Sequence, residues 1–264
     1  MRKLNIPVNY YDQTSADLLL NVPAEGFGGW KKTELTFDLD TAAFVVMHAA
    51  YPGSPDEVPG IYRSCDETPR QNEIDRTVFP PLFAAIRKAG VHIYHIGFAP
   101  RPFYKRYDGF VKEGLDFSYP SITASETTKD IFAFKRDYNW PGKQNLADIA
   151  KSYDTTDFLP NARPAPGEPI VENTDQLFGI CQKDGTDHLI YIGFCIDGCI
   201  QSSACGMIDM GRRGFLCTAV REATTAIENK ETSAREMAKE KALADIGIVF
   251  GADELIGALS TLTV

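Results

Sequence analysis

The 264-residue chain lacks any apolar run approaching the roughly 18 residues that a transmembrane helix requires. Its first residues, Met1-Arg2-Lys3 followed by mixed polar residues, carry no apolar signal-peptide core, so a cytoplasmic protein with no membrane partner is expected. A basic stripe is also missing. The net charge is −9, which argues against nucleic acid as a partner. Six cysteines in a chain of this length do not make a disulfide framework. There is no internal repeat, low-complexity tract, Gly-rich phosphate loop or GxSxG motif. No second CxxC-type pair accompanies Cys195 and Cys199, and Pro55-Asp56-Glu57 has no histidine beside it. No bound metal and no cofactor are therefore expected.

What remains is an ordinary globular composition, 44% hydrophobic and 24% charged, enough to bury a sizeable core. Five short apolar runs have strand character: 42–47 (AAFVVM), 91–96 (VHIYHI), 189–194 (LIYIGF), 215–220 (FLCTAV) and 246–250 (IGIVF). They are continuously apolar rather than alternating, as in strands covered on both faces. Helical patterns lie between them at 79–90, 199–211, 232–245 and 252–259, the third with a Ser233-to-Glu236 capping box. Strand–helix alternation predicts a three-layer α/β/α domain around one parallel sheet. Residues 1–40 read as a long lead-in. Residues 99–168, rich in aromatics and proline, read as a mostly irregular insertion. Its Phe103, Tyr104, Tyr107 and Trp140 should line a pocket or a subunit contact.

Four of the six cysteines fall within 195–217. In Tyr191-Ile192-Gly193-Phe194-Cys195-Ile196-Asp197-Gly198-Cys199-Ile200 a buried strand gives way to a short loop, and Cys199 then opens a helix. A thiol at a helix start, above the carboxyl edge of a parallel sheet, is favoured as thiolate, and nearby backbone N–H groups could hold an oxyanion. The alternative is an inert buried cysteine.

The stretch GFCIDGCIQSSACGMIDMGRRGFLCTAVREATTA resembles the signature of isochorismatase-like cysteine hydrolases, with Gly193, Asp197, Cys199-Ile200, Gly214-Phe215 and Glu222-Ala223 in the matching places. Thr41 to Val46 is similar to the family's first strand, and 82–96 to its first helix and second strand. The resemblance spans roughly residues 41–98 and 170–259. It implies an isochorismatase-like fold, a Cys-Asp-Lys triad that hydrolyses a small amide or related substrate, and dimers or larger assemblies. Here Met47 stands at the family's Asp, and Asn173, or Glu172 one residue earlier, at its Lys. Only the cysteine is kept.

Two readings follow. The first is a cysteine-dependent hydrolase of a small amide or ester. Cys199 is its nucleophile, His48 the base, and Glu172 the residue that orients His48, while Met47, Asn173, Asp197 and Gly198 border the substrate. The second is a catalytically silent small-molecule-binding or assembly protein on the same scaffold. Neighbouring strand residues face opposite sides. If Met47 faces the sulfur, His48 can reach it only where extended geometry breaks.

Overall fold

The structure, a computed structural model, describes residues 2–98, 102–114 and 125–262. Its central sheet has eight strands in the order β2-β1-β10-β9-β8-β3-β5-β7. The five expected runs become β3 (Ala42–Met47), β5 (His92–Ile96), β8 (His188–Gly193), β9 (Leu216–Thr224) and β10 (Ile248–Phe250). These are parallel neighbours, joined at the far edge by the short β7 (Ile170–Val171). All six residues of β3 and of β8 are buried, which accounts for their lack of polar alternation.

Helices cover both faces. Phe44, Val46, Ile190, Ile192, Val220 and Phe250 pack one face against α2 (Thr68–Thr77), α3 (Phe79–Lys88) and α10 (Ala252–Ser260). Ala43, Val45, Met47, Leu189, Tyr191 and Val249 pack the other against α6 (Thr174–Asp184), α7 (Cys199–Ser202), α8 (Met207–Arg212) and α9 (Met237–Ile246). Each fully buried large apolar side chain contributes roughly 1.5–3 kcal/mol. The result is the expected three-layer α/β/α architecture with a mostly parallel sheet.

Several expectations are corrected. Residues 1–40 are not a mere lead-in. Lys3–Asp12 (β1) and Gly29–Asp38 (β2) form an antiparallel ladder from Lys3↔Asp38 to Asp12↔Gly29, and β1 pairs antiparallel with β10. The alternation of buried Leu4, Ile6 and Val8 with Lys3, Asn5 and Pro7 is the period-two signal of a strand with one face on the core.

The insertion is partly helical. It holds α4 (Glu126–Tyr138), capped by the Ser125 hydroxyl, and α5 (Leu146–Thr155). Its strand β6 (Asp157–Phe158) pairs with β4 (Ala50–Tyr51) just beyond β3. Tyr104 is fully buried, and with Phe103 and Tyr107 it surrounds Phe158 in a small aromatic core, whereas Trp140 is 61% exposed.

Residues 199–211 are two short helices rather than one. Between them Cys205 adopts φ 65°, and Gly206 approaches so closely that a Cβ there would lie 2.7 Å from the Ser203 carbonyl oxygen. The Ser233–Glu236 capping box does not form. Ser233–Arg235 is a 3-10 turn, and Glu228 takes over the start of α9 by accepting from the Ala238 and Lys239 N–H groups at 3.1 and 3.0 Å. Before it, α1 (Pro59–Ser64) and α2 bring the segment following β3 back over the carboxyl edge of the sheet.

Candidate active site

Strands β3 and β8 are neighbours in register, Met47 opposite Gly193, so their carboxyl ends deliver His48 and the cysteine loop side by side. The approach is close. The Phe194 N–H donates to the Met47 carbonyl at 2.9 Å, and a Cβ on Gly193 would lie 2.2 Å from that same oxygen. Gly193 has φ 104°, so glycine is required there on both counts.

Extended geometry ends at Met47. His48 adopts φ 45°, and its carbonyl accepts from the Ala50 N–H at 2.7 Å. This left-handed residue, uncommon outside glycine, swings the imidazole off the line of the strand. The ring lies 5.2 Å from that of Phe98 and close enough to Cys199 to lower its thiol pKa. The Met47 side chain is wholly buried in the core under α6–α9.

After β8 the chain turns tightly. The Cys195 carbonyl accepts from the Gly198 and Ile200 N–H groups at 3.3 and 2.9 Å, and Ile196 N–H donates to the Thr225 carbonyl at 2.7 Å. Exposed Asp197 braces the loop by accepting from Ile227 N–H at 3.0 Å. Cys199 is partly exposed, while Cys195 is buried behind it. The helix that Cys199 opens has only four residues, so its dipole contributes little. The thiolate is held by side chains instead. A hydrogen bond from the Cys195 thiol is the main cause that lowers the Cys199 pKa, with His48 and Ser203 adding to it against the cost of burial. The same thiol–thiolate bond pushes the Cys195 thiol far up.

A carboxylic acid that sequence reasoning missed completes the cluster. Glu67, at the start of α2, accepts from Thr225 Oγ1 at 2.7 Å. Burial raises its pKa, and the negative charges of Cys199 and Asp197 raise it further. Both influences act to favour the protonated form of Glu67 beside the sulfur. In the sequence Glu67 is one acidic residue before Thr68-Pro69, the usual look of a solvated helix start. Only the return of α2 over the sheet edge brings it to Cys199.

Two of the other expected site residues, Glu172 and Asn173, are bonded elsewhere. Glu172 is not brought to His48. Its Oε1 accepts from Tyr104 Oη and pairs with Lys105 Nζ, both at 3.0 Å, while the buried Nδ1 of His48 has no hydrogen-bond partner among the described residues. Asn173 is occupied as the N-cap of α6. Its Oδ1 accepts from Gln176 N–H at 3.0 Å, and its Nδ2 donates to the Gly114 carbonyl at 2.9 Å. Of the backbone N–H groups expected at an oxyanion, that of Gly198 is already engaged by the Cys195 carbonyl at 3.3 Å.

Among the described residues no group of three or more His, Cys, Asp or Glu side chains could hold a metal, and no helix is long and apolar enough to cross a membrane. Two surface cavities of about 960 and 560 Å³ include neither Cys199 nor His48 in their linings. The first lies along residues 137–145 and the second beside Tyr62 and Asn72. The chemistry, not the cavity size, marks the site.

No family model and no curated protein matches the chain. Solved structures do. A cysteine hydrolase from Pseudomonas syringae pv. phaseolicola 1448A aligns with 85% of this chain and 95% of its own at 13% identity and a TM-score of 0.49. An isochorismatase-like hydrolase from Alkaliphilus metalliredigens aligns with 83% and 98% at 16% identity and a TM-score of 0.46. An N-carbamoylsarcosine amidase from Thermoplasma acidophilum aligns with 81% and 98% at 14% identity and a TM-score of 0.42. All three likenesses have TM-scores below 0.5.

Proposed function

We propose that the chain is a cysteine-dependent hydrolase of a small amide or ester, acting as one domain with Cys199 as its nucleophile. The observation that carries this reading is the cluster around one partly exposed sulfur: Cys195, His48 and Ser203 together lower the Cys199 thiol pKa, and Glu67, its own pKa raised by burial, stands at the start of α2 beside the cysteine loop. An inert structural cysteine has no need of two proton-active neighbours, and burial alone would raise its pKa, as it does for Cys181 and Cys217.

In this reading the thiolate attacks the substrate carbonyl. The Cys199 N–H meets the oxyanion. Glu67 or His48 donates a proton to the leaving group and then, as a base, activates the water that cleaves the thioester. Met47 offers no carboxylate at the end of β3, and Glu67 at the start of α2 supplies one instead.

The test is a burst experiment with small activated aryl esters and anilides. The expected result is a burst of the chromophore stoichiometric with enzyme, a matching acyl adduct on Cys199 by mass spectrometry, and loss of both in Cys199→Ser. Absence of any Cys199 adduct with every substrate class, in folded protein, favours the silent scaffold.

A further inference from the structure

The cysteine loop carries two sulfurs four residues apart, and only one of them is the nucleophile of hydrolysis. Cys195 is 3% exposed, and its carbonyl closes the turn by accepting from both Gly198 and Ile200 N–H groups. That turn folds residue 199 back over residue 195. A Cβ at Gly198 would lie 2.9 Å from Cys195 Sγ, so glycine leaves the room the sulfur occupies. The two side chains are close enough that each shifts the other, the Cys199 thiol pKa down and the Cys195 thiol pKa up. A disulfide needs Cα atoms about 4.4–6.8 Å apart, a span that such a closed turn provides.

We propose that Cys195 and Cys199 are a redox pair, in which a hydroperoxide oxidises Cys199 and Cys195 then closes an intramolecular disulfide. The steps balance. The Cys199 thiolate attacks the terminal oxygen of the hydroperoxide. The O–O bond breaks and releases an alcohol or water after protonation, leaving a sulfenic acid on Cys199. The Cys195 sulfur, losing its proton, attacks the Cys199 sulfur. The S–O bond breaks, and hydroxide leaves as water. Sulfur gives up two electrons and the peroxide takes them. An external thiol such as dithiothreitol reverses the disulfide. Exposure decides the order of events, since Cys199 is partly exposed and Cys195 is buried. The lowered pKa of Cys199 supplies the thiolate that peroxide requires. Cys181 and Cys205 are buried with raised pKa values and do not compete.

Asp197 lies between the two cysteines, which makes the linkage directly readable. The full-length protein is treated with hydrogen peroxide, alkylated, and cleaved on the amino side of aspartate. The expected result is that the fragments ending at Ile196 and beginning at Asp197 remain joined, and that dithiothreitol separates them. In Cys195→Ser the same dose should carry Cys199 on to sulfinic acid, and Cys199→Ser should leave the fragments apart. The proposal is overturned if wild-type fragments separate without reductant, whether Cys199 is unmodified or over-oxidised. A Cys199→Ser chain whose fragments still join would also overturn it. None of these readings depends on hydrolytic activity.

Discussion

The Thr225 hydroxyl donates to Glu67 at 2.7 Å and so ties the start of α2 to the end of β9, beside the cysteine loop. The backbone of Thr225 is bonded as well, accepting from Ile196 N–H at 2.7 Å. One residue therefore holds both a carboxylic acid and the loop that carries the nucleophile.

A neutral Glu67 acts as an acid only below its own pKa, which burial raises above the ordinary carboxylate value. As the pH climbs through that raised value the acid form is lost and hydrolysis should fall. Glu67→Gln should lower kcat/KM about 10²–10⁴-fold and abolish the alkaline limb attributable to this group. The check is a pH–rate profile of both proteins on one ester. An unchanged profile in the variant removes Glu67 from the reaction.

Gly193→Ala combines φ 104° with a Cβ 2.2 Å from the Met47 carbonyl oxygen. Neither backbone can yield without moving β3 or β8. Urea denaturation should show a loss of at least ~2 kcal/mol. A loss below about 0.5 kcal/mol would mean that the strand ends are not packed this closely.

Acid sensitivity should come in part from His188. It is buried, bonds Thr218 Oγ1 through Nε2 at 2.8 Å, and has its pKa driven by burial down to about 4. The unfolded chain takes up this proton near pH 6.5 and the folded chain only near 4. The stabilising effect is thus complete above about pH 6.5 and is lost as pH falls toward 4, by up to ~3 kcal/mol. His188→Gln should flatten stability across that window in denaturation curves taken at successive pH values. An equal slope in both proteins would assign the acid sensitivity elsewhere.

Much of the fold was legible because parallel strands buried on both faces are apolar nearly throughout, as 42–47 and 189–193 are. β1 and β2 were harder to read. Their period-two signal is diluted on β2, where Lys31, Lys32 and Thr33 face solvent at the sheet edge. α4 carries Ile131, Phe132 and Phe134 exposed, so it has no clean apolar stripe to announce it. At the site, Cys199 was visible from its loop, and His48 from its place after β3. Glu67 was not, because its role depends on a helix pair folding back across the sheet. Glu172 failed as a partner for His48 because β7 lies two strands from β3, with β5 between them.

The central claim is that Cys199 is a thiolate held in part by His48, and the pH dependence of its alkylation tests this most directly. Iodoacetamide labelling at Cys199, followed residue by residue, should keep its rate well below the usual cysteine pKa of ~8.5. In His48→Ala the inflection should move upward, while labelling of Cys65 stays unchanged. If Cys199 instead labels with an inflection at or above ~8.5, and His48→Ala leaves it where it was, Cys199 is not an activated nucleophile and the hydrolase reading is wrong.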